Sequence, residues 1–308
     1  MERRVIPNSS LKVSTLCLGT MTFGTPVGEA NAIRLTHQAL DLGINFIDTA
    51  NMYEGYARYI GSPGGIAEEI LGKALKGRRE GVVLATKVGM KIGPADDDGG
   101  LSPGHIRREI DRSLKRMRCE VVDLYYMHKF DPNVPLTESA QAFDELVRAG
   151  KVRYWAVSNF STAQLAELLS VCDSNGWQRP VAVQPACSLL NHSSLTDLLS
   201  LCAAERLAVI PYRVLEGGLL TGKYKPGAPI PPGTRQAEKP EWLLALTEEL
   251  FTHLSMLEAE AHQKGRTLFQ HALLALLEDP SIVSLIIGVK RIQQLKEAEQ
   301  AINRTQSL

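Results

Sequence analysis

Short β-branched and apolar runs alternate with longer stretches of helical period along almost the whole chain. The runs with strand character end near Gly19, Asp48, Lys87, His128, Ser158, Pro185, Tyr212 and Gly288. Amphipathic segments fill the intervals at 30–42, 67–75, 103–117, 138–149, 162–175 and 195–205. Short buried strands that each lead into a helix predict a parallel sheet. Eight of them can close into a (β/α)8 TIM barrel, an α/β fold; an open doubly wound sheet is the competing arrangement. The leading stretch 5–15, with its turn at Asn8-Ser9-Ser10, reads as a β-hairpin capping the barrel bottom. The last interval is irregular, with about 75 residues between Tyr212 and Gly288. It holds a Gly/Pro-rich loop at 216–240, a helix expected over 241–264 and another over 268–277. A loop of that length is a candidate for function.

Composition narrows the classes. Barrels commonly reach ~250 residues or more, so residues 1–308 read as one domain. The 34 basic and 34 acidic residues cancel, which leaves no global field for a nucleic-acid backbone. A local anion site needs only a few cations. No apolar run follows the first residues, and the longest, near 282–289, is too short to span a bilayer. The expectation is a cytoplasmic protein with no membrane partner. The five cysteines (17, 119, 172, 187 and 202) form no CxxC pair and read as free thiols in a reducing compartment. No metal is expected: no His/Cys cluster has zinc spacing, and Asp96-Asp97-Asp98-Gly99-Gly100 lacks calcium-ligand spacing.

Chemistry concentrates where strands end, which in a barrel is the active face. Three successive strands finish Phe46-Ile47-Asp48, Ala85-Thr86-Lys87 and Tyr126-Met127-His128. A period of two turns Asp48, Lys87 and His128 towards one mouth, and Tyr53 follows at the start of the next loop. A lysine cation beside a tyrosine favours the ionised phenol, an aspartate keeps that lysine charged, and a histidine can orient a carbonyl or relay a proton. Each residue alone is weak evidence; four in one place are not.

These residues carry a resemblance. Phe46-Ile47-Asp48-Thr49-Ala50-Asn51-Met52-Tyr53, Ala85-Thr86-Lys87 and the stretch ending in His128 look like the tetrad segments of the aldo-keto reductases, in the branch that includes bacterial reductases and potassium-channel beta subunits. The likeness runs from Leu18-Gly19-Thr20-Met21 through Val157-Ser158-Asn159-Phe160 to Gly288 and Gln294-Leu295. It implies that Tyr53 donates a proton, that Lys87 and Asp48 tune it, that His128 positions a substrate carbonyl, and that hydride comes from NADPH.

No GxGxxG follows a strand, and Gly217 to Lys223 fits GxxxxGK only with Tyr224 in the Ser/Thr position. The resemblance instead implies that this loop drapes over the cofactor diphosphate, with Gly217, Leu215, Lys223 and Arg235 contributing. It further implies that Gly19, Thr20 and Met21 line the cofactor site, that Ser158, Asn159 and Gln184 bond the carboxamide, and that Tyr212 stacks on the ring. Gly288-Val289-Lys290-Arg291 opens a helix suited to an anion. Lys290 and Arg291 are either partners for a 2′-phosphate, favouring NADPH, or a solvated basic turn. Three positions depart from the family. Arg213 stands where the loop usually reads Ser-Pro-Leu and is expected to bring a cation to the diphosphate. Ala298 replaces a common asparagine, leaving adenine to Gln294 and Glu297. Cys187 replaces a common aromatic and reads as packing.

The loop after Tyr53 is long, Glu54 to Gly65. Tyr56, Arg58 and Tyr59 either contact substrate or pack the loop on itself; Phe23, Phe130 and Met21 are further pocket candidates. The leading expectation is an NADPH-dependent reductase of aldehydes or ketones, keto sugars included. A cofactor-binding regulatory subunit of the channel-beta type and a Schiff-base aldolase on Lys87 are the competing readings.

Overall fold

The computed structural model describes residues 1–303; the last five residues of the expected 1–308 domain lie outside the described residues. Two short strands, β1 (Arg3–Val5) and β2 (Lys12–Ser14), form an antiparallel hairpin. Eight parallel strands follow: β3 (Leu16–Gly19), β4 (Phe46–Asp48), β5 (Val83–Val88), β6 (Val122–Met127), β7 (Val152–Ser158), β8 (Ala182–Gln184), β9 (Ala208–Val209) and β10 (Leu285–Gly288). Their order is β10-β3-β4-β5-β6-β7-β8-β9. The ends join, because Val209 pairs in parallel with Ile282 and Ile286 N–H donates to the Pro211 carbonyl at 3.0 Å. The sheet is therefore a closed barrel, and the doubly wound alternative is excluded.

Helices α1 (Glu29–Asp41), α2 (Ile66–Ala74), α3 (Pro103–Met117), α4 (Leu136–Arg148), α5 (Thr162–Asn175) and α6 (Thr196–Ala204) follow β3 to β8 in turn. Local chemistry sets several of their ends. Ser102 accepts from His105 N–H with Pro103 at the first helical position, and Ser161 with Gln164 makes a capping box. Between β9 and β10 lie α7 (Arg235–Glu238), α8 (Glu248–Gln263) and α9 (Leu268–Leu277), and α10 (Ile292–Asn303) follows β10. The helix expected over 241–264 starts later than its pattern suggests. Pro240–Trp242 is a 3₁₀ turn, and α8 begins only after Thr247, whose hydroxyl accepts from Leu250 N–H. Among the described residues no helix is long and apolar enough to cross a membrane.

Two packed layers result, as period-two strands require. Inside the barrel lie Cys17, Phe46, Ala85, Leu124, Tyr126, Ala156, Ala208 and Ile210. Ile6, Leu11 and Val13 of the hairpin join that inner cluster, so the hairpin plugs the barrel bottom as expected. The alternate positions, among them Leu18, Ile47, Leu84, Tyr125 and Trp155, pack outward against the helices. Trp155 is fully buried beside Phe143 of α4, with ring centroids 5.3 Å apart, and its indole N–H donates to the Gln178 carbonyl at 2.9 Å. Trp155→Ala should destabilise the fold by about 3–5 kcal/mol. Urea denaturation checks this, and a loss below ~1 kcal/mol would contradict the packing.

Candidate active site

Adjacent strands β4 and β5 pair Asp48 with Ala85, so Lys87, two residues on, rises from the same inner face. The Lys87 side chain is completely buried and ion-paired with Asp48. Its ammonium also donates to the Thr49 carbonyl at 2.8 Å and to the Tyr53 hydroxyl at 3.4 Å. Asp48 is held from its other oxygen by Gln184 Nε2 at 2.9 Å. The Tyr53 and His128 rings meet edge to face with centroids 6.0 Å apart. The structure thus brings together the three residues picked out by strand phase and Tyr53 of the loop that follows β4.

Electrostatics sets their protonation. Burial raises the Tyr53 pKa above its usual 10.0, and the nearby Lys87 cation reduces that rise without cancelling it. Burial outweighs the pull of the lysine cation noted from the sequence, so the phenol stays protonated at neutral pH. Burial disfavours the Lys87 cation, but Asp48 and Tyr53 outweigh it, so lysine's pKa is raised and the group stays charged. Burial, then Lys87, Arg58 and Lys129, push His128 well below 6.5. Its imidazole is neutral, and its buried Nδ1 has no partner. A charged Lys87 also removes the amine that Schiff-base chemistry would need.

Around this centre the other expected residues separate into groups. Ser158 donates to the Gln184 carbonyl at 2.8 Å, Asn159 to the His128 carbonyl at 2.9 Å, and Tyr212 to Asn159 Oδ1 at 2.8 Å. These residues form one wall. Gln184 spends its amide nitrogen on Asp48, so it positions the carboxylate. Gly19 ends β3, and the N–H and hydroxyl of fully buried Thr20 both donate to the Asp48 carbonyl at 3.0 Å. Thr20 therefore anchors the β4 end, and half-buried Met21 follows. Phe23, expected in the substrate mouth, is fully buried in the layer between barrel and helices. Phe130 is half-buried against Phe160, their rings perpendicular at 5.7 Å.

The loop after Tyr53 is braced on itself. Arg58 donates to Ser62 Oγ at 3.0 Å, to the Lys91 carbonyl and to the Met52 carbonyl at 3.3 Å, and pairs with Glu54 at 3.7 Å. Arg58 packs the loop on itself. Tyr59 points to solvent, 66% exposed. Tyr56 does neither: its ring meets Trp242 edge to face at 5.4 Å, with Arg235 and Lys290 over it at 5.0 and 5.2 Å.

A strap built from the loop after β9 crosses this side of the mouth. Leu215 packs under it, and Glu216–Thr221 is a 3₁₀ segment with Gly217 and Gly218 at positive φ. Arg213 is no free cation towards a diphosphate. It pairs with buried Glu216 at 3.0 Å and donates to the Trp242 carbonyl at 3.1 Å, so it holds the strap. Lys290, after β10, donates to the Gly233 carbonyl at 3.1 Å and pairs with Glu238. Lys223 has its pKa lowered by burial and by the cations Lys290, Arg235 and Arg291. Among the described residues no carboxylate pairs with Lys223 or Arg291. The N-terminus of α10 is less open to an anion than expected, because Gln294 Oε1 accepts from the Lys290 and Arg291 N–H groups at 2.9 and 3.1 Å. Gly288 ends β10 exposed, and Glu297 accepts from Gln293.

The residues present fit an anionic group. Four cations stand close enough to repel one another, with only Glu238 paired among them, and the Tyr56 hydroxyl beside them is buried without a partner. Sequence reasoning missed Trp242. Its one signal was an aromatic in a polar, Pro-flanked loop.

Residues 15–307 match the model of the Aldo/keto reductase family. An L-glyceraldehyde 3-phosphate reductase of Escherichia coli (strain K12) is 33% identical over 98% of this chain and 88% of that protein. A probable voltage-gated potassium channel subunit beta of Arabidopsis thaliana is 32% identical over 98% and 92%. Among solved structures, an aldo-keto reductase of Bacillus halodurans in its holo form has a TM-score of 0.79 at 28% identity, covering 98% of this chain and 91% of that one.

The arrangement fixes one titration. Following the His128 imidazole by NMR should give a midpoint well below 6.5, and Lys87→Met should move it upward by removing a nearby cation. An unshifted midpoint near 6.5 in the unaltered protein would contradict this account of the site.

Proposed function

Given that the chain belongs to the aldo/keto reductase family, we propose that it is an NADPH-dependent oxidoreductase that reduces an aldehyde or ketone to the alcohol, with Tyr53 as general acid. The observation that carries this reading is the Tyr53 hydroxyl 3.4 Å from a buried ammonium, with burial holding its pKa above the ordinary value. The reduced nicotinamide, when bound, supplies the hydride to the carbonyl carbon. Tyr53 gives its proton to the carbonyl oxygen, and the phenolate left behind is stabilised by Lys87. Asp48 keeps Lys87 charged, and neutral His128 offers a hydrogen bond that orients the oxygen without competing for the proton. Alcohol oxidation runs the same transfers in reverse.

Ser158, Asn159 and Tyr212 are the groups that would hold the nicotinamide. Lys223, Arg235, Lys290 and Arg291 would hold the phosphates. So dense a cation cluster supports NADPH over NADH, since the extra 2′-phosphate finds charge-assisted bonds. The likeness to an L-glyceraldehyde 3-phosphate reductase supports a small polyhydroxy carbonyl compound as substrate, keto sugars included. The five free thiols fit a cytoplasmic setting. The likeness to a channel beta subunit supports a second reading, a cofactor-binding regulatory subunit with little turnover. The assembled Tyr53, Lys87, Asp48 and His128 favour turnover.

Tyr53→Phe should keep NADPH binding and lower turnover with a panel of aldehydes by about 10²–10⁴-fold. Near-normal turnover in that variant would overturn the mechanism, and absent turnover in the unaltered protein would favour the regulatory reading. The pH profile follows from the directions of shift. Reduction needs Tyr53 protonated and His128 neutral, and their pKa values lie above 10.0 and well below 6.5. The kcat/KM for reduction should therefore be flat from pH 6.5 to 10, dropping only beyond those limits. A limb inside that window would assign the proton to another group.

A further inference from the structure

We propose that Tyr56, on the loop that follows the catalytic tyrosine, binds a phosphate of the dinucleotide through its hydroxyl. This rests on the cofactor reading above and goes beyond it, because the loop's position next to Tyr53 marks it as part of the substrate mouth.

Three observations place Tyr56 on the cofactor side. Its ring lies under two cations, Arg235 at 5.0 Å and Lys290 at 5.2 Å, that come from different parts of the chain. Trp242 closes the edge of the ring at 5.4 Å, and Arg235 lies over the Trp242 ring as well, at 5.6 Å. The Tyr56 hydroxyl is buried and has no hydrogen-bond partner. A buried, unsatisfied hydroxyl costs free energy unless a partner arrives. Lysine and arginine side chains offer donors only, so the cations beside Tyr56 cannot accept its proton. An anion held by those cations can. A phosphate oxygen satisfies the hydroxyl and the surplus positive charge together.

The position of Tyr56 is fixed in advance. Its N–H donates to the Thr25 carbonyl at 2.7 Å. Gly55, just before it, has φ +73°, and a Cβ there would overlap the Thr25 backbone. Gly64, at φ +65°, lies as tightly against Asn51 and Met52. Only glycine fits these two hinges, and Arg58 ties the loop between them. The hydroxyl is thus presented by a rigid loop, so little ordering entropy opposes binding.

Tyr56→Phe tests the proposal, since it removes the hydroxyl and keeps the ring that packs on Arg235, Lys290 and Trp242. Dissociation constants for NADPH and NADH are measured by equilibrium dialysis. The expected result is about a ten-fold weaker NADPH complex, equivalent to about 1.4 kcal/mol. Weakening confined to NADPH assigns the hydroxyl to the 2′-phosphate, and weakening of both cofactors assigns it to the diphosphate. Unchanged constants for both overturn the proposal and leave the cofactor reading intact; failure of the unaltered protein to bind either cofactor would sink that reading first. Tyr56→Ala, which also removes the ring, should raise the NADPH dissociation rate in stopped-flow beyond the Phe variant. Equal rates for Tyr56→Ala and the unaltered protein would likewise overturn it.

Discussion

Everything at the mouth depends on a lysine and an aspartate held together out of water. The desolvation penalty for a buried ion pair is several kcal/mol per ion, and mutual attraction offsets it only where the remaining donors and acceptors are also satisfied. Here they are. The three protons of the Lys87 ammonium go to Asp48, the Thr49 carbonyl and Tyr53. The two oxygens of Asp48 go to Lys87 and Gln184. The strand-end backbone is enlisted as well, since Thr20 donates twice to the Asp48 carbonyl. The Tyr53 hydroxyl is therefore one of the ligands that make the buried charge tolerable, so candidate site and fold share the same interaction.

A second buried charge network supports the turn between Asp48 and Tyr53 from behind. Glu68 of α2 and Glu109 of α3 are both fully buried. Arg116 bonds Glu68 at 2.6 Å and lies 3.6 Å from Glu109. Asn51 donates to Glu109 at 3.1 Å, and Thr86 donates to Glu68 at 2.6 Å. Thr86, just before Lys87, and Asn51, two residues before Tyr53, are thereby tied to two helices through hydrogen-bonded carboxylates, which resist displacement more than apolar packing does.

Much of this was legible in the chain. Period two along β4, β5 and β6 gave Asp48, Lys87 and His128 a common face, because nothing in a short buried strand competes with the pleat. The ends of α5 and α9 were legible because Ser161 with Gln164 and Thr267 with Gln270 are local capping boxes. The start of α8 was not. The apolar spacing of Trp242, Leu243, Leu244 and Leu246 mimics a helix, and Pro240 together with the Thr247 cap was the contrary signal. Partner choice was hidden for a different reason. Whether Arg213 meets a phosphate or Glu216, and whether Gln184 meets a carboxamide or Asp48, depends on which groups the closed barrel places within 3 Å. Sequence spacing carries no such distance. Glu68 and Glu109 did leave a trace, as acidic residues on otherwise apolar helix faces, and the pattern alone gives no reason for them.

The hairpin at the barrel bottom has a consequence for proton supply. Below Asp48 the interior is filled by Phe46, Cys17, Leu124 and Ile210, then sealed by Ile6, Leu11 and Val13. Such a column offers no chain of exchangeable hydrogens from the opposite face of the molecule. If Tyr53 is the acid proposed above, the proton it gives up is replaced through the mouth it opens on. The barrel is then a vessel with one neck, and recharging that acid has to wait until the neck is clear.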